Sequence, residues 1–238
     1  MIWNLIRNLT LLVMLALASG CATTGSADAR DPLEGMNRSI FSFNKFMDKA
    51  LFDPVGKVYT TVVPRPVNRG VTNFFGNLGE IATIANSILQ LKVGQAFEDV
   101  GRFAVNSILG LGGLFDVATG MGLSKHDEDF GQTLGYWGIG SGPFLMAPFL
   151  GPTSLRDAVG FGVDSAFLNP VTYVDPDAAR AGLMSLNYID YKTDNKSARS
   201  LIGEASVDEY EFLKNAYLER RQGQVRDNSD MDPNPETQ

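Results

Sequence analysis

One histidine and one cysteine occur among the 238 residues, and their surroundings limit the chemistry open to the chain. His126 lies in Ser124-Lys125-His126-Asp127-Glu128-Asp129, a polar run suited to an exposed turn rather than to a general base. A single imidazole excludes any site that needs two. A single thiol excludes an internal disulfide and a cysteine-built zinc site. The acids Asp127, Glu128 and Asp129 lack the spacing of a calcium loop. Ser141 has Ile139, not Gly, two positions before it, so it sits in no nucleophile elbow. The run Gly138-Ile-Gly140-Ser-Gly142-Pro143 places proline where a dinucleotide fingerprint needs its third glycine, and no Gly-x-x-x-x-Gly-Lys-Ser/Thr loop occurs. With no acid, base and oxyanion site assembled, we expect neither an enzyme nor a bound metal or cofactor. Lys plus Arg number 20 against 27 Asp plus Glu, a formal charge of −7, which makes nucleic acid a poor partner.

Cys21 is better explained by what precedes it. Residues 1–20 carry one charge, Arg7, and an apolar run from Leu9 to Ala18. Ten helical residues span about 15 Å, half of a hydrocarbon core of about 30 Å, so the run fits a signal peptide and not a membrane span. Ala18-Ser19-Gly20-Cys21 resembles a bacterial lipobox, in which the cysteine is acylated and becomes the first residue of the mature protein. Ala18 departs from the usual leucine. Ala22 follows where inner-membrane retention would call for aspartate, so the resemblance implies the outer membrane. Acyl chains anchor firmly, since each buried methylene contributes about 0.8 kcal/mol.

Residues 21–30 read as the acylated end and a flexible tether, 31–222 as one domain, and 223–238 as a disordered acidic tail. Within the domain the pattern is helical. Met36, Ile40, Phe43, Met47 and Leu51 trace one face at spacings of three and four. Pro66 suits the start of a second helix carrying Val67, Val71 and Phe74. Ile81, Ile84, Ala85 and Ile88 mark a third. Val93, Phe97, Val100, Ala104 and Ile108 mark a fourth that also holds Arg102 and Asn106. Ser206-Val-Asp-Glu209 has the form of a capping box opening a last helix. The fold class is all-α.

Phe130–Leu155 contains no Asp, Glu, Lys or Arg over 26 residues, yet holds six glycines and three prolines. Each interior glycine costs about 1 kcal/mol and each proline about 3 kcal/mol relative to alanine, so one continuous spanning helix is excluded. Two readings remain: a buried core loop, or a hairpin facing or lining lipid. Gly138, Gly140, Gly142 and Pro143 read as the tip or hinge of such a hairpin.

Several ordered motifs carry a family likeness. Asp31-Pro-Leu-Glu-Gly-Met-Asn-Arg38, Phe41-Ser-Phe43-Asn44 and Val63-Pro64-Arg65-Pro66 are followed by Asn73-Phe-Phe-Gly-Asn77, Arg102-Phe103 and Asn106-Ser-Ile-Leu-Gly110. Further on come Asp129-Phe-Gly-Gln-Thr-Leu-Gly135, Gly140-Ser-Gly142-Pro143 and Pro148-Phe-Leu-Gly-Pro-Thr-Ser-Leu-Arg156-Asp157. Together they resemble the MlaA (VacJ) family of outer-membrane lipoproteins. The resemblance implies an all-α ring lying in the inner leaflet of the outer membrane, lipid-anchored on the periplasmic side, around a central amphipathic channel. Through it, mislocalised phospholipid would leave the outer leaflet for a periplasmic carrier of the MlaC type. It also implies association with trimeric porins. By position, Gly138, Gly140, Gly142 and Pro143 would form the channel hairpin, and Phe43 and Asn44 the helix at its base. Arg102, Asn106 and Arg156 are candidates for lipid-headgroup contacts, or for buried structural partners. The alternative function is a structural lipoprotein that scaffolds porins or envelope complexes without moving lipid.

Overall fold

The computed structural model describes residues 28–197, 203 and 206–227. The signal peptide, Cys21, most of the tether and residues 228–238 lie outside that set. Helix α1 (Glu34–Met47) runs through a π-helical turn, Asp48–Phe52, into α2 (Asp53–Val62). The second and third predicted helices are one 25-residue helix, α3 (Arg65–Leu89), with Pro66 in its first turn. No residue between Phe74 and Ile81 stops a helix, and Gly76 and Gly79 are carried through at a cost of about 1 kcal/mol each.

A turn at Gln90–Lys92 leads to α4 (Val93–Ile108), which packs against α3. Short helices α5 (Val117–Gly120) and α6 (Phe130–Tyr136) follow. The chain is mostly helical but not wholly so. Strands β1 (Phe144–Ala147) and β2 (Gly151–Ser154) pair antiparallel, Phe144 opposite Ser154 and Ala147 opposite Gly151. After β2 come α7 (Leu155–Val163), a π-helical turn and a 3-10 turn, then α8 (Asp177–Asp194) and α9 (Glu209–Val225). Gly160 of α7 faces Gly131 of α6 so closely that a Cβ would lie 2.3 Å from the Gly131 nitrogen, which only glycine permits.

The last helix differs from expectation at both ends. Its N-cap is Asp208, whose carboxylate accepts from the Glu211 amide and is also paired with Arg38. That ion pair fixes the N-cap two residues after Ser206. The helix then continues to Val225, past the expected start of the tail at 223, because Val225 packs over Gly135 and Gly223 is buried.

What is buried is the fold's most informative property. The apolar cluster is small: Ile40, Phe144, Met146 and Tyr210, with Met36, Phe41, Tyr217 and Leu218 against it. Elsewhere the interior is polar. Helix α3 buries Asn77, Glu80, Thr83, Asn86 and Ser87, and α4 buries Ala96, Asp99, Arg102 and Asn106. The apolar stripe predicted on α4 is present but faces out: Phe97 and Ile108 are each 74% exposed, and Val93 and Val100 are exposed with them. Water-soluble helices place those faces the other way round. Turn tips repeat the inversion. Leu91, Leu111 and Phe149 hold left-handed backbone conformations, with φ of 60°, 55° and 65°, at sites where glycine is usual. Each is an exposed apolar side chain. Among the described residues no helix is long and apolar enough to cross a membrane.

Candidate functional site

The polar interior between α3 and α4 centres on Arg102, 1% exposed. Its Nε donates to Glu80 Oε1, Nη1 to Thr119 Oγ1 and the Leu123 carbonyl, and Nη2 to both oxygens of Asp116. All five donors of the guanidinium are thereby used. Asn106 is equally occupied: its Oδ1 accepts from the Val117 and Ala118 amides at 2.8 and 2.9 Å, and its Nδ2 donates to Asp116. Arg102 and Asn106 therefore tie α4 to α5, and neither offers a group to a lipid headgroup. Burial pushes the Glu80 carboxyl up, Arg102 opposing it in part. Glu80 Oε2 and Asn77 Oδ1 are buried without a hydrogen-bond partner.

His126 belongs to this network. Its Nδ1 meets Asp99 Oδ1 at 2.6 Å, while Ser87 donates to the other Asp99 oxygen. The bond to Asp99 raises the imidazole pKa against the opposing effect of burial. Sequence reading placed His126 on an exposed turn; its side chain is only 26% exposed, and it fastens residues 124–128 to α4 together with the Ser124 amide on Glu98.

Phe43 and Asn44, the predicted base helix, meet the hairpin. Asn44 Nδ2 donates to the Ala147 carbonyl at 3.0 Å and its Oδ1 accepts from the Phe149 amide at 2.7 Å. The Phe43 and Phe149 rings stack edge to face, 5.4 Å apart. Two turns earlier on the same face, Asn37 Oδ1 accepts from the Met146 amide and its Nδ2 donates to the Phe144 carbonyl and to Asp31. Sequence reading missed Asn37 as a site residue. The signal was present, since Asn37 and Asn44 interrupt an apolar face at a spacing of seven.

The strand pairing puts the hairpin tip at Pro148-Phe149-Leu150, not at the glycines. Gly138, Gly140, Gly142 and Pro143 form the connection from α6 into β1, at the opposite, open end. There the Pro143 and Ser141 carbonyls accept from the Leu155 and Arg156 amides. Glycine freedom is used at Gly138 and Gly142, with φ of 90° and 68°.

Beside the tip opens the largest cavity described, about 730 Å³, reached by α1 (Asn44, Lys45), the hairpin (Met146, Leu150), α8 (Tyr191, Lys192) and α9 (Glu209, Leu213). Its wall is mixed: apolar side chains alternate with ion pairs, Lys192 with Asp48 at 2.9 Å and Lys45 with Glu209. A second cleft, about 440 Å³, lies between the glycine connection and α9 and holds Arg156. Asp157 at its floor bonds Arg221, Tyr217 and Ser154. Burial pushes the Asp157 carboxyl up, but Arg221 and these hydroxyls outweigh it and hold it well below the ordinary carboxylate range.

Comparison with known proteins bears on this arrangement. The MlaA lipoprotein family matches residues 29–224. The chain is 36% identical over 211 residues to the intermembrane phospholipid transport system lipoprotein MlaA of Escherichia coli (strain K12), covering 86% of this chain and 82% of that protein. To the protein of the same name from Haemophilus influenzae it is 28% identical over 230 residues, 92% of each. A solved structure concerned with the structural basis for maintenance of bacterial outer membrane lipid asymmetry is 32% identical. It superimposes with a TM-score of 0.72, covering 82% of this chain and 98% of that one. The chain belongs to the MlaA lipoprotein family.

Proposed function

We propose that the protein is an outer-membrane lipoprotein that withdraws mislocalised phospholipid from the outer leaflet, so maintaining lipid asymmetry, and passes it to a periplasmic carrier of the MlaC type. Cys21 carries the acyl anchor, and the domain lies on the periplasmic side of the membrane as a ring in the inner leaflet. The observation that supports this reading best is the inverted burial. Apolar stripes and turn tips face outward, where only acyl chains would favour them, while Asn, Glu, Arg and Thr side chains fill the interior. The cavity beside the hairpin tip is the lipid passage in this reading. Its apolar wall suits the tails, and its ion-paired lysines suit a zwitterionic or anionic headgroup.

With no nucleotide loop in the sequence, the step at this protein is downhill: a lipid in a disfavoured leaflet moves to an acceptor that binds it better. Trimeric porins fit the outward apolar surface as neighbours. A scaffold that holds porins without moving lipid would use that surface and leave the cavity idle. The test is lipid exchange from vesicles to the purified carrier, with and without the protein. Exchange that depends on the protein is expected; porin capture without exchange would establish the scaffold instead.

A further inference from the structure

The cleft between the glycine connection and α9 is separate from the proposed passage and is built differently. Four arginines reach it, Arg30, Arg156, Arg221 and Arg226, against the acids Asp157 and Glu219. Asp157 is already saturated, and Arg221 is held by Asp129 and Asp157. Arg156 is different. Its side chain is 7% exposed, yet its Nε and Nη2 share one oxygen of Asp157, at 3.0 and 2.9 Å, and Nη1 has only the Ile139 carbonyl at 3.4 Å. A guanidinium carries five N–H donors, so these three contacts leave Arg156, which lines the cleft, with donors to spare. Nη1 lies over Gly135, where a Cβ would come within 2.8 Å of it. The Gly138–Ser141 backbone, which Arg156 touches at the Ile139 and Ser141 carbonyls, also lines the cleft, and at Gly140 an added Cβ would meet nothing within 4 Å.

We propose that this cleft binds a phosphate group, donated to in a bidentate manner by Arg156, and that the phosphate is that of a phospholipid headgroup. The lipid source is favoured by the neighbouring side chains. Ile139 lines the cleft and is exposed, and Tyr136, Trp137 and Leu155, each next in the chain to a lining residue, are exposed too, aromatic and aliphatic side chains of the kind found at the level of headgroups and upper acyl chains. The inference rests on the lipid-facing orientation proposed above and adds a second lipid site, outside the passage.

The test is titration of the detergent-solubilised full chain with dihexanoyl-phosphatidylethanolamine below its micelle-forming concentration, and separately with inorganic phosphate, following the backbone amide signals of Gly135, Gly138 and Gly140 by NMR. Saturable shifts with the lipid are expected, weakened at least tenfold by Arg156→Gln. Because Arg156→Gln removes a buried partner of Asp157, Gly140→Leu serves as the second variant: it adds bulk at a lining position where a Cβ meets nothing within 4 Å, leaves that pair in place, and is expected to weaken binding to a similar degree. No saturable shift, or binding unchanged in Gly140→Leu, overturns the site. Inorganic phosphate binding as tightly as the lipid overturns the assignment to a headgroup. Vesicle-to-carrier exchange is measured on the same wild-type preparation. Exchange without cleft binding removes this inference alone, whereas cleft binding without exchange removes the transport reading and leaves the site.

Discussion

Asn37 and Asn44 stand seven residues apart on α1, and their amides bond the same strand edge, Asn37 at Phe144 and Met146 and Asn44 at Ala147 and Phe149. The spacing matches for a simple reason. Seven helical residues advance about 10.5 Å, and the three residues from Phe144 to Ala147, whose carbonyls the two amides bond, advance about 10 Å along β1. One helix face thus serves as a third strand for a two-stranded hairpin, which alone would be marginal. Asn37→Ala leaves a buried carbonyl and amide unpaired and is expected to destabilise the protein by about 1–3 kcal/mol. Asn44→Ala costs less, because the Phe149 end is nearer solvent. Denaturant melts measure the difference, and hydrogen exchange should show faster exchange at the Met146 amide in Asn37→Ala.

Arg102 makes a second prediction. Replacing it with leucine leaves Glu80 as a buried charge without its counter-ion and removes the donors to Asp116 and Leu123. The expected cost is about 3–5 kcal/mol. Adding Glu80→Leu to Arg102→Leu should recover part of it, because the stranded carboxylate is gone. A headgroup-binding Arg102 would instead leave stability near wild type and lower lipid exchange. Chemical denaturation in detergent separates the two.

The His126–Asp99 contact predicts a pH dependence with a definite sign. The folded imidazole pKa is raised above its ordinary 6.5 by the hydrogen bond to Asp99, aided by the charges of Asp99, Glu98 and Glu80. The stability it contributes is fully present below about pH 6.5 and is lost as pH rises through the raised folded value. Wild type should therefore lose thermal stability between pH 6 and pH 9 relative to His126→Gln. Parallel melting curves for the two proteins would mean that the contact contributes nothing.

Gly140 separates backbone freedom from folding. A Cβ at this position meets nothing within 4 Å, and its φ lies outside the left-handed range that Gly138 and Gly142 occupy. Gly140→Val should therefore fold with an unchanged melting temperature. If the connection must flex for lipid to pass, the variant slows vesicle-to-carrier exchange severalfold. Exchange at the wild-type rate would show that the connection is a fixed wall.

The helices were legible in the sequence wherever apolar periodicity was strong. The spacing of Phe97, Val100, Ala104 and Ile108 located α4 and its apolar face. Periodicity alone carries no sign, however: it cannot tell which face meets protein and which meets lipid. The sign lay in the opposite stripe, Asn77-Glu80-Thr83-Ser87, which is too uniformly polar and too closely matched to Asp99, Arg102 and Asn106 to be a solvated surface. Ser206 and Gly223 were misread for a different reason. Both ends of α9 are set by tertiary partners, Arg38 and Gly135, that are distant in the chain. The hairpin was foreseen as a break in helical structure with the glycines as its tip or hinge, and the strand pairing puts the tip at Pro148-Phe149-Leu150 instead. Strand register depends on Asn37 and Asn44 gripping β1, which no local pattern announces.

Membrane contact by the inverted faces is the most direct prediction of the proposed function, and it can be measured without transport. The experiment uses Cys21→Ala, so that no acyl chain masks the contribution of the protein surface. Phe97 and Ile108 both lie on the outer face of α4, exposed in the folded protein, so changing them to aspartate removes no packing and should alter stability in detergent by less than about 0.5 kcal/mol. Burying each side chain in hydrocarbon contributes about 1.5–3 kcal/mol, and a carboxylate in its place adds a further desolvation cost. The double variant Phe97→Asp/Ile108→Asp is therefore expected to lower the vesicle partition coefficient at least a hundredfold, while Asn187→Asp, which adds a charge at an exposed polar position of α8, changes it much less. Flotation of the double variant with vesicles to the same extent as its parent would mean that α4 faces water, and the inverted burial would then need another explanation.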